Sequence, residues 1–485
     1  MNNERVLLSI KHLQKYFPIK KKHPFQVRQD YVKANKNVSI DIYEGETLGI
    51  VGESGCGKST LGRTIIQLQK QTGGSSLYYG ETIDNFMPKY VKKVYKSLQR
   101  VSKSYDKDFK ALNELKQNRI DEVSMEQYRL SKIEFENKYY NTFRLIGGLA
   151  AHNDLGEISR LLLKEYKALK ELSRFRQQYE FEKTKLKMRQ LDDSNRLQKL
   201  EQLMKQAEIN VSTIKQAVEE IKETLKSDKK FIKYESFKDQ GIDLSALSKK
   251  EIRYLKKDLQ IIFQDPYSSL DPRSKVKDII GEGLLIHKFF KRKNSEAYNN
   301  YVTDIMKKCG LDEAYKNRFP HQFSGGQRQR IGIARALALK PKFVVCDEAV
   351  SALDVSIQSQ IINLLEELKR TDNLTYLFIT HDLGVVRFIS DRIGVMYFGS
   401  LVELAPAEEI FKNPKHPYTK QLLNAIPSYE DETFKQTIHE ITYETSEYEF
   451  HYHKTGEADP NWYEVSKGHF VSCKLKQEKD EGGLL

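Results

Sequence analysis

Residues 52–60 read GESGCGKST, a G-x-x-x-x-G-K-[ST] pattern between the apolar run TLGIV and the helical stretch TLGRTIIQL. Strand, glycine loop and helix in that order suit a phosphate chain, because curled backbone N–H groups meet it at a helix N-terminus. The expected binding set is Gly52, Glu53, Ser54, Gly55, Cys56, Gly57, Lys58, Ser59 and Thr60. Lys58 is placed for the β- and γ-phosphates and Ser59 for Mg²⁺, so ATP and Mg²⁺ are the expected cofactors. A second apolar run, FVVCDE at 343–348, ends in two carboxylates. Beside a phosphate loop, Asp347 would serve the magnesium shell and Glu348 would polarise a hydrolytic water. Gln264 in IIFQDP and His381 in LFITHD end two further apolar runs. An amide at 264 can bridge the metal and the lytic water, and a neutral imidazole at 381 can touch the γ-phosphate. Standing alone, either would be an ordinary strand-end residue. The set gives them meaning.

The stretch FSGGQRQRIGIARALAL at 323–339 adds a second anion site. Ser324, Gly325, Gly326 and Gln327 put backbone donors at the start of a helix. One γ-phosphate does not need two such sites in one chain. The arrangement therefore predicts a dimer, in which this turn caps ATP held by the partner's loop.

The surrounding pattern supplies the supports. Residues 1–80 read as short strands, and residues 257–427 alternate strand and helix, as a parallel-sheet α/β domain does. Between them, the only glycines from 81 to 240 are Gly147, Gly148 and Gly156, a composition that allows long helices. Leu197, Leu200, Met204, Ala207, Val211, Ile214, Val218, Ile221 and Leu225 keep a 3-4 spacing over four heptads. The expectation is a helical hairpin with arms near 155–190 and 195–227, turned at DDSN with Asp193 or Ser194 as N-cap, and another helix before it through Val91, Leu98 and Tyr105. This segment holds 34 basic and 26 acidic residues, so its +8 is most of the chain's +13. Interleaving of Lys with Glu makes a solvated surface the plain reading of that charge, and no nucleic-acid partner is expected.

No run of eighteen apolar residues is present, so no membrane span is expected, and the N-terminus does not read as a secretory signal. Cys56, Cys309, Cys346 and Cys473 have no paired spacing, which argues against a disulfide framework or a zinc site. The tail, 428–485, is acidic and aromatic with partly strand-like alternation.

Taken together, these motifs resemble the ATP-binding cassette superfamily over residues 1–82 and 241–427. SGGQ is similar to the signature motif, SALD at 351–354 to the D-loop (hence Asp354 in the nucleotide set), Gln264 to the Q-loop and His381 to the switch histidine. Phe17, or its neighbour Tyr16, stands where an aromatic residue stacks on adenine. FQDPYSSLDPR, NPKHPYTKQLLNAIPS and GHFVSCK further resemble the F-type ATPase subunit of oligopeptide importers. The resemblance implies a P-loop NTPase fold of α/β class, with a RecA-like core, an antiparallel β subdomain and a helical signature subdomain. It also implies a cytoplasmic-face ATPase that pairs with a homologous D-type ATPase subunit, docks two permease subunits and serves an extracytoplasmic peptide-binding protein.

Three departures stand out. Ala349 follows Glu348 where that family has proline; Cys473 stands alone where relatives can cluster cysteines for an iron–sulfur site; and Lys58 and Gln264 lie 206 positions apart. Segment 83–240 reads as an inserted coiled-coil or helical arm in a loop at the antiparallel sheet edge, with 428–485 as an importer-type tail. The rivals are coiled-coil ATPases of chromosome maintenance or repair, and dipeptide or nickel importers. The first group differs because its coiled coils enter after the Q-loop and its arms are far longer. The arm can bind a partner, rest on anionic lipid or act as a spacer. The expectation adopted is an interaction arm dispensable for hydrolysis, since every catalytic motif lies outside it.

Overall fold

The computed structural model describes residues 5–20, 30–117, 122–190, 194–293, 295–425, 448–450 and 462–475. Two compact units form, one from Met1–Ser76 with Arg253–Leu484 and one from Leu77–Ile252. In chain order the strands are β1 (Val6–Pro18), β2 (Tyr31–Tyr43), β3 (Thr47–Val51), β4 (Gly73–Tyr78), β5 (Ile242–Asp243), β6 (Leu259–Ile262) and β7 (Phe343–Asp347). They continue as β8 (Thr375–Ile379), β9 (Arg392–Tyr397), β10 (Ser400–Pro406), β11 (Tyr448–Glu449), β12 (Trp462–Ser466), β13 (His469–Ser472) and β14 (Lys474–Leu475).

The first unit is built on an eight-stranded sheet of order β12-β13-β10-β9-β3-β8-β7-β6. From β9 to β6 the pairing is parallel. Every residue of β3, β7 and β8 is buried, which explains why these strands are continuous apolar runs without alternation. Parallel neighbours discharge their loops at one edge of the sheet, and ligands gather there. That edge receives the glycine loop after β3, Asp347 and Glu348 at the end of β7, His381 after β8 and Gln264 after β6. A second, antiparallel sheet places β1 between β2 and β4.

Antiparallel strands extend the main sheet through β10 to β13 and β12. The described part of the tail is thus integrated into the nucleotide unit; residues 428–447 of the tail lie outside the described residues. The cement is polar and buried. Glu403 of β10 accepts hydrogen bonds from the backbone N–H of Lys415 (2.7 Å) and of His416 (3.0 Å), and meets His469 Nε2 at 2.7 Å. Burial pushes the His416 imidazole down to about 4, so it is neutral in the folded protein at pH 7. The unfolded chain takes up that proton below its usual 6.5 and the folded one only near 4, so stability falls as pH falls through this window. His416→Gln removes the titration. The stability advantage of wild type over this variant should therefore shrink by about 3 kcal/mol between pH 7 and pH 4, as measured by urea unfolding.

The second unit is helical. Strand β4 runs into it and pairs there with β5 through Leu77↔Asp243 and Tyr78↔Ile242. The long helices are Lys89–Gln117, Glu122–Ile146, Leu155–Arg189 and Ser194–Leu225. The last two form an antiparallel hairpin, tied by Arg176 to Glu208 at 2.8 Å, Tyr179 to Glu201 at 2.8 Å and Arg196 to Glu182 at 3.1 Å. All nine heptad positions from Leu197 to Leu225 are buried or half-buried, while the residues between them are mostly exposed. Asp193, one of the two expected N-caps, lies outside the described residues. The unit's boundaries, Leu77–Ile252, are wider than the 83–240 segment because the paired ends of β4 and β5 pack with the helices.

An aromatic cluster of Tyr105, Phe135, Tyr139 and Phe143 joins the first two helices, with Tyr105 and Phe143 centroids 4.8 Å apart. Gly147 and Gly148 then break the chain; a Cβ on Gly148 would sit 2.3 Å from the Phe231 ring. Beside this break, fully buried Arg144 organises the unit's base. Its Nε donates to Asn141 Oδ1 (2.8 Å), its Nη1 to the Gly241 carbonyl (2.6 Å) and its Nη2 to the Tyr90 hydroxyl (2.9 Å). Asn141 in turn donates to Asp243 at 2.9 Å, and the Asp243 N–H donates to Tyr90 at 3.1 Å.

Candidate nucleotide site

The glycine loop is shaped by sterics. Gly52 (φ 154°) and Gly57 (φ 104°) have no space for a side chain: a Cβ would lie 2.2 Å from the Met396 carbonyl oxygen and 2.1 Å from that of Ala34. Lys58 opens the helix Lys58–Ile65 and is buried, its Nζ donating to the carbonyls of Gly52 (2.7 Å) and Glu53 (2.8 Å). Ser59 and Thr60 follow in the first turn, half-buried, while Glu53, Ser54 and Gly55 are exposed. Burial pushes the Cys56 thiol up despite the nearby Lys58 ammonium, so this cysteine packs and is not a thiolate.

Asp347 is fully buried at the end of β7. Its Oδ2 accepts from Arg63 Nε (3.1 Å) and Nη2 (2.9 Å), and its Oδ1 has no hydrogen-bond partner. A buried carboxylate oxygen left over in this way fits a hard cation, alone or through water, with the Ser59 hydroxyl as a second oxygen donor. Bound there, Mg²⁺ would neutralise phosphate charge. Next in sequence, Glu348 has φ 50°, a left-handed conformation that costs on the order of 1–3 kcal/mol in a non-glycine residue. The turn is held by the Glu348 N–H donating to the Ile379 carbonyl at 2.9 Å, and buried Ala349 follows it. The result aims the carboxylate at its neighbours: Oε2 accepts from Gln264 Nε2 at 2.6 Å and lies 3.7 Å from His381 Nδ1. Three strand ends therefore converge on one carboxylate.

The remaining expected residues lie outside this cluster. Ser324 caps the helix Gly325–Leu337: its hydroxyl accepts from the Gln327 N–H at 3.3 Å, and Gln327 Oε1 accepts from the Ser324 N–H at 3.2 Å. Gly326 packs so tightly that a Cβ would meet Ile357 at 2.5 Å. Asp354 is the exposed N-cap residue of Val355–Asp372. Phe17 is half-buried in β1 with Lys15 Nζ 4.6 Å above its ring. The groups of Ser324–Gln327 and Phe17 are not hydrogen-bonded to the Glu348 cluster.

Two residues were not anticipated. Arg63 gave no signal, because its only mark is a position one helical face away from the loop. Tyr418 lies inside HPYT, which reads as a family marker and not as chemistry. In the structure its hydroxyl accepts the Glu53 N–H at 3.1 Å, and it lines a small pocket with Tyr397, Phe398 and the loop residues 53–56. A loop amide is thereby fixed by the C-terminal region. Tyr418→Phe removes that acceptor and should raise the KM for ATP about threefold to tenfold, with kcat little changed, in a steady-state ATPase assay.

The ABC transporter family matches residues 35–225 and 233–351, and the oligopeptide/dipeptide transporter C-terminal region matches residues 402–450. The oligopeptide transport ATP-binding protein OppF of Bacillus subtilis is 34% identical over 467 residues, spanning 96% of both chains. OppF of Streptococcus mutans is 45% identical over 243 residues, covering 50% of this chain and 75% of that one. The oligopeptide transport ATP-binding protein AppF of B. subtilis is 32% identical over 425 residues, 88% of this chain and 79% of its own. With a family match over well more than half its length and a relative this similar along nearly all of it, the chain belongs to the ABC transporter family and is an ATPase of that family.

Proposed function

We propose that the protein is the ATP-hydrolysing subunit of an importer that moves oligopeptides across the cell membrane, working at its cytoplasmic face. The match of residues 402–450 to the oligopeptide/dipeptide transporter C-terminal region carries the peptide assignment. In this reading the loop from Gly52 to Thr60 cradles the phosphates, Ser59, Asp347 and Gln264 serve Mg²⁺, and Glu348 polarises the water with His381 and Gln264 beside it. Ser324–Gln327 and Asp354 complete the site of a homologous D-type ATPase, and two permease subunits and an extracytoplasmic peptide-binding protein make up the transporter. Phe17 stacks on adenine. Deleting the gene should abolish uptake of a labelled tetrapeptide, and wild type but not Glu348→Gln should restore it. Undiminished uptake in the deletion strain would overturn the peptide assignment.

The helical unit is, in this proposal, an inserted arm dispensable for hydrolysis. Strands β4 and β5 are register partners at Tyr78 and Ile242, so a short glycine linker can replace residues 84–238 without moving either. ATPase activity in the assembled transporter should survive that deletion. Its loss from a chain that still folds would disprove dispensability.

A further inference from the structure

The helix Lys89–Gln117 carries a charge pattern that nucleotide chemistry does not use. Lys89, Lys92, Lys93, Lys96, Arg100, Lys103, Lys107 and Lys110 are all exposed. At 3.6 residues per turn these eight fall within an arc about 100° wide and a stripe about 32 Å long. No acid shares that arc between Lys89 and Lys110, and Asp106 stands about 40° beyond its edge. Asp108 lies off it and is taken by Lys138 at 2.6 Å. None of the eight cationic groups enters an ion pair among the described residues. The opposite face is fixed, because Val91, Tyr95, Leu98, Tyr105 and Leu112 are buried within the unit. Like charges three and four positions apart repel, so the stripe is held at a cost that an anionic surface would relieve.

We propose that this stripe docks on the anionic lipid headgroups of a bilayer. The choice of a bilayer rests on the importer reading, which puts the protein beside a membrane. It also rests on the stripe itself. Single-stranded nucleic acid is gripped by aromatic platforms, whereas the tyrosines of this helix, Tyr90, Tyr95 and Tyr105, are buried. A straight row of lysines with no stacking group matches a flat array of phosphates, each residue adding a salt-sensitive increment of attraction.

The test uses the full-length protein with vesicles of phosphatidylcholine alone or mixed with phosphatidylglycerol, read by co-sedimentation. Wild type should bind the mixed vesicles and not the neutral ones. The variant Lys92→Gln, Lys96→Gln, Arg100→Gln, Lys103→Gln keeps good helix formers and should bind about a hundredfold more weakly. A control with Lys164, Lys167, Lys199 and Lys205 changed to Gln, all exposed and off this helix, should lose less than about threefold. Equal binding by the stripe variant, equal binding to neutral vesicles, or tighter capture of duplex DNA or RNA that the stripe variant abolishes would each overturn the proposal. ATP hydrolysis measured on the same samples keeps the two readings apart. An inactive wild type that still binds vesicles through the stripe would count against the importer and not against the docking surface.

Discussion

Glu348→Gln should lower ATP turnover by about two to four orders of magnitude and leave ATP binding intact. The amide is nearly isosteric, and its oxygen can still accept the hydrogen bond that Gln264 Nε2 gives the carboxylate at 2.6 Å. What disappears is the basic group that takes the water's proton. The backbone turn at φ 50° is held by the main-chain hydrogen bond from Glu348 to Ile379 of β8 and does not depend on the side-chain charge, so the fold should be unaffected. Phosphate release under saturating Mg-ATP, alongside nucleotide retention on the protein, separates the two effects. Turnover at the wild-type rate would remove Glu348 from its role and leave the convergence of Gln264 and His381 without a purpose.

Arg144→Ala should destabilise the helical unit by about 3–5 kcal/mol, the range for stripping one partner from a buried charged network. Three hydrogen bonds go at once, and the Gly241 carbonyl and Tyr90 hydroxyl are left in a site closed to water. Lysine is no substitute, since one ammonium cannot reach the Asn141, Gly241 and Tyr90 acceptors held by the planar fork. Because the damage is internal to Leu77–Ile252, limited proteolysis should nick that span first while the remaining unit still retains ATP. A variant with unchanged melting and unchanged protease resistance would show that the cluster is ornamental.

How far these features could be read in advance depends on the range of the interaction involved. The glycine loop, FVVCDE and the heptads from Leu197 to Leu225 are local patterns, in which spacing alone dictates strand, helix and buried face. Arg63 and Asp347 are 284 positions apart, and no periodicity links a helical arginine to a particular strand end. Tyr418 reaches Glu53 across 365 positions for the same reason. Strands β12 and β13 are short, and only β13 is largely buried, so WYEVS and HFVS gain strand character mainly by pairing with each other and with β10. Two-residue β5 carries no pattern at all; β4 determines it.

The register partnership of Tyr78 with Ile242 also sets an order of events during synthesis. The partners are 164 positions apart, and β6, β7, β8 and β9 come later still. At 5–20 residues per second, roughly 10–30 s pass between translation of β4 and of β5. Throughout that interval β3 has neither of its parallel neighbours, and its five residues, all buried in the folded chain, have no sheet to enter. The helices, by contrast, need only contacts near in sequence and can consolidate as they emerge. The nucleotide unit, whose first segment, Met1–Ser76, is the earliest to leave the ribosome, is therefore the last to fold, and chaperone capture of the nascent chain should centre on TLGIV.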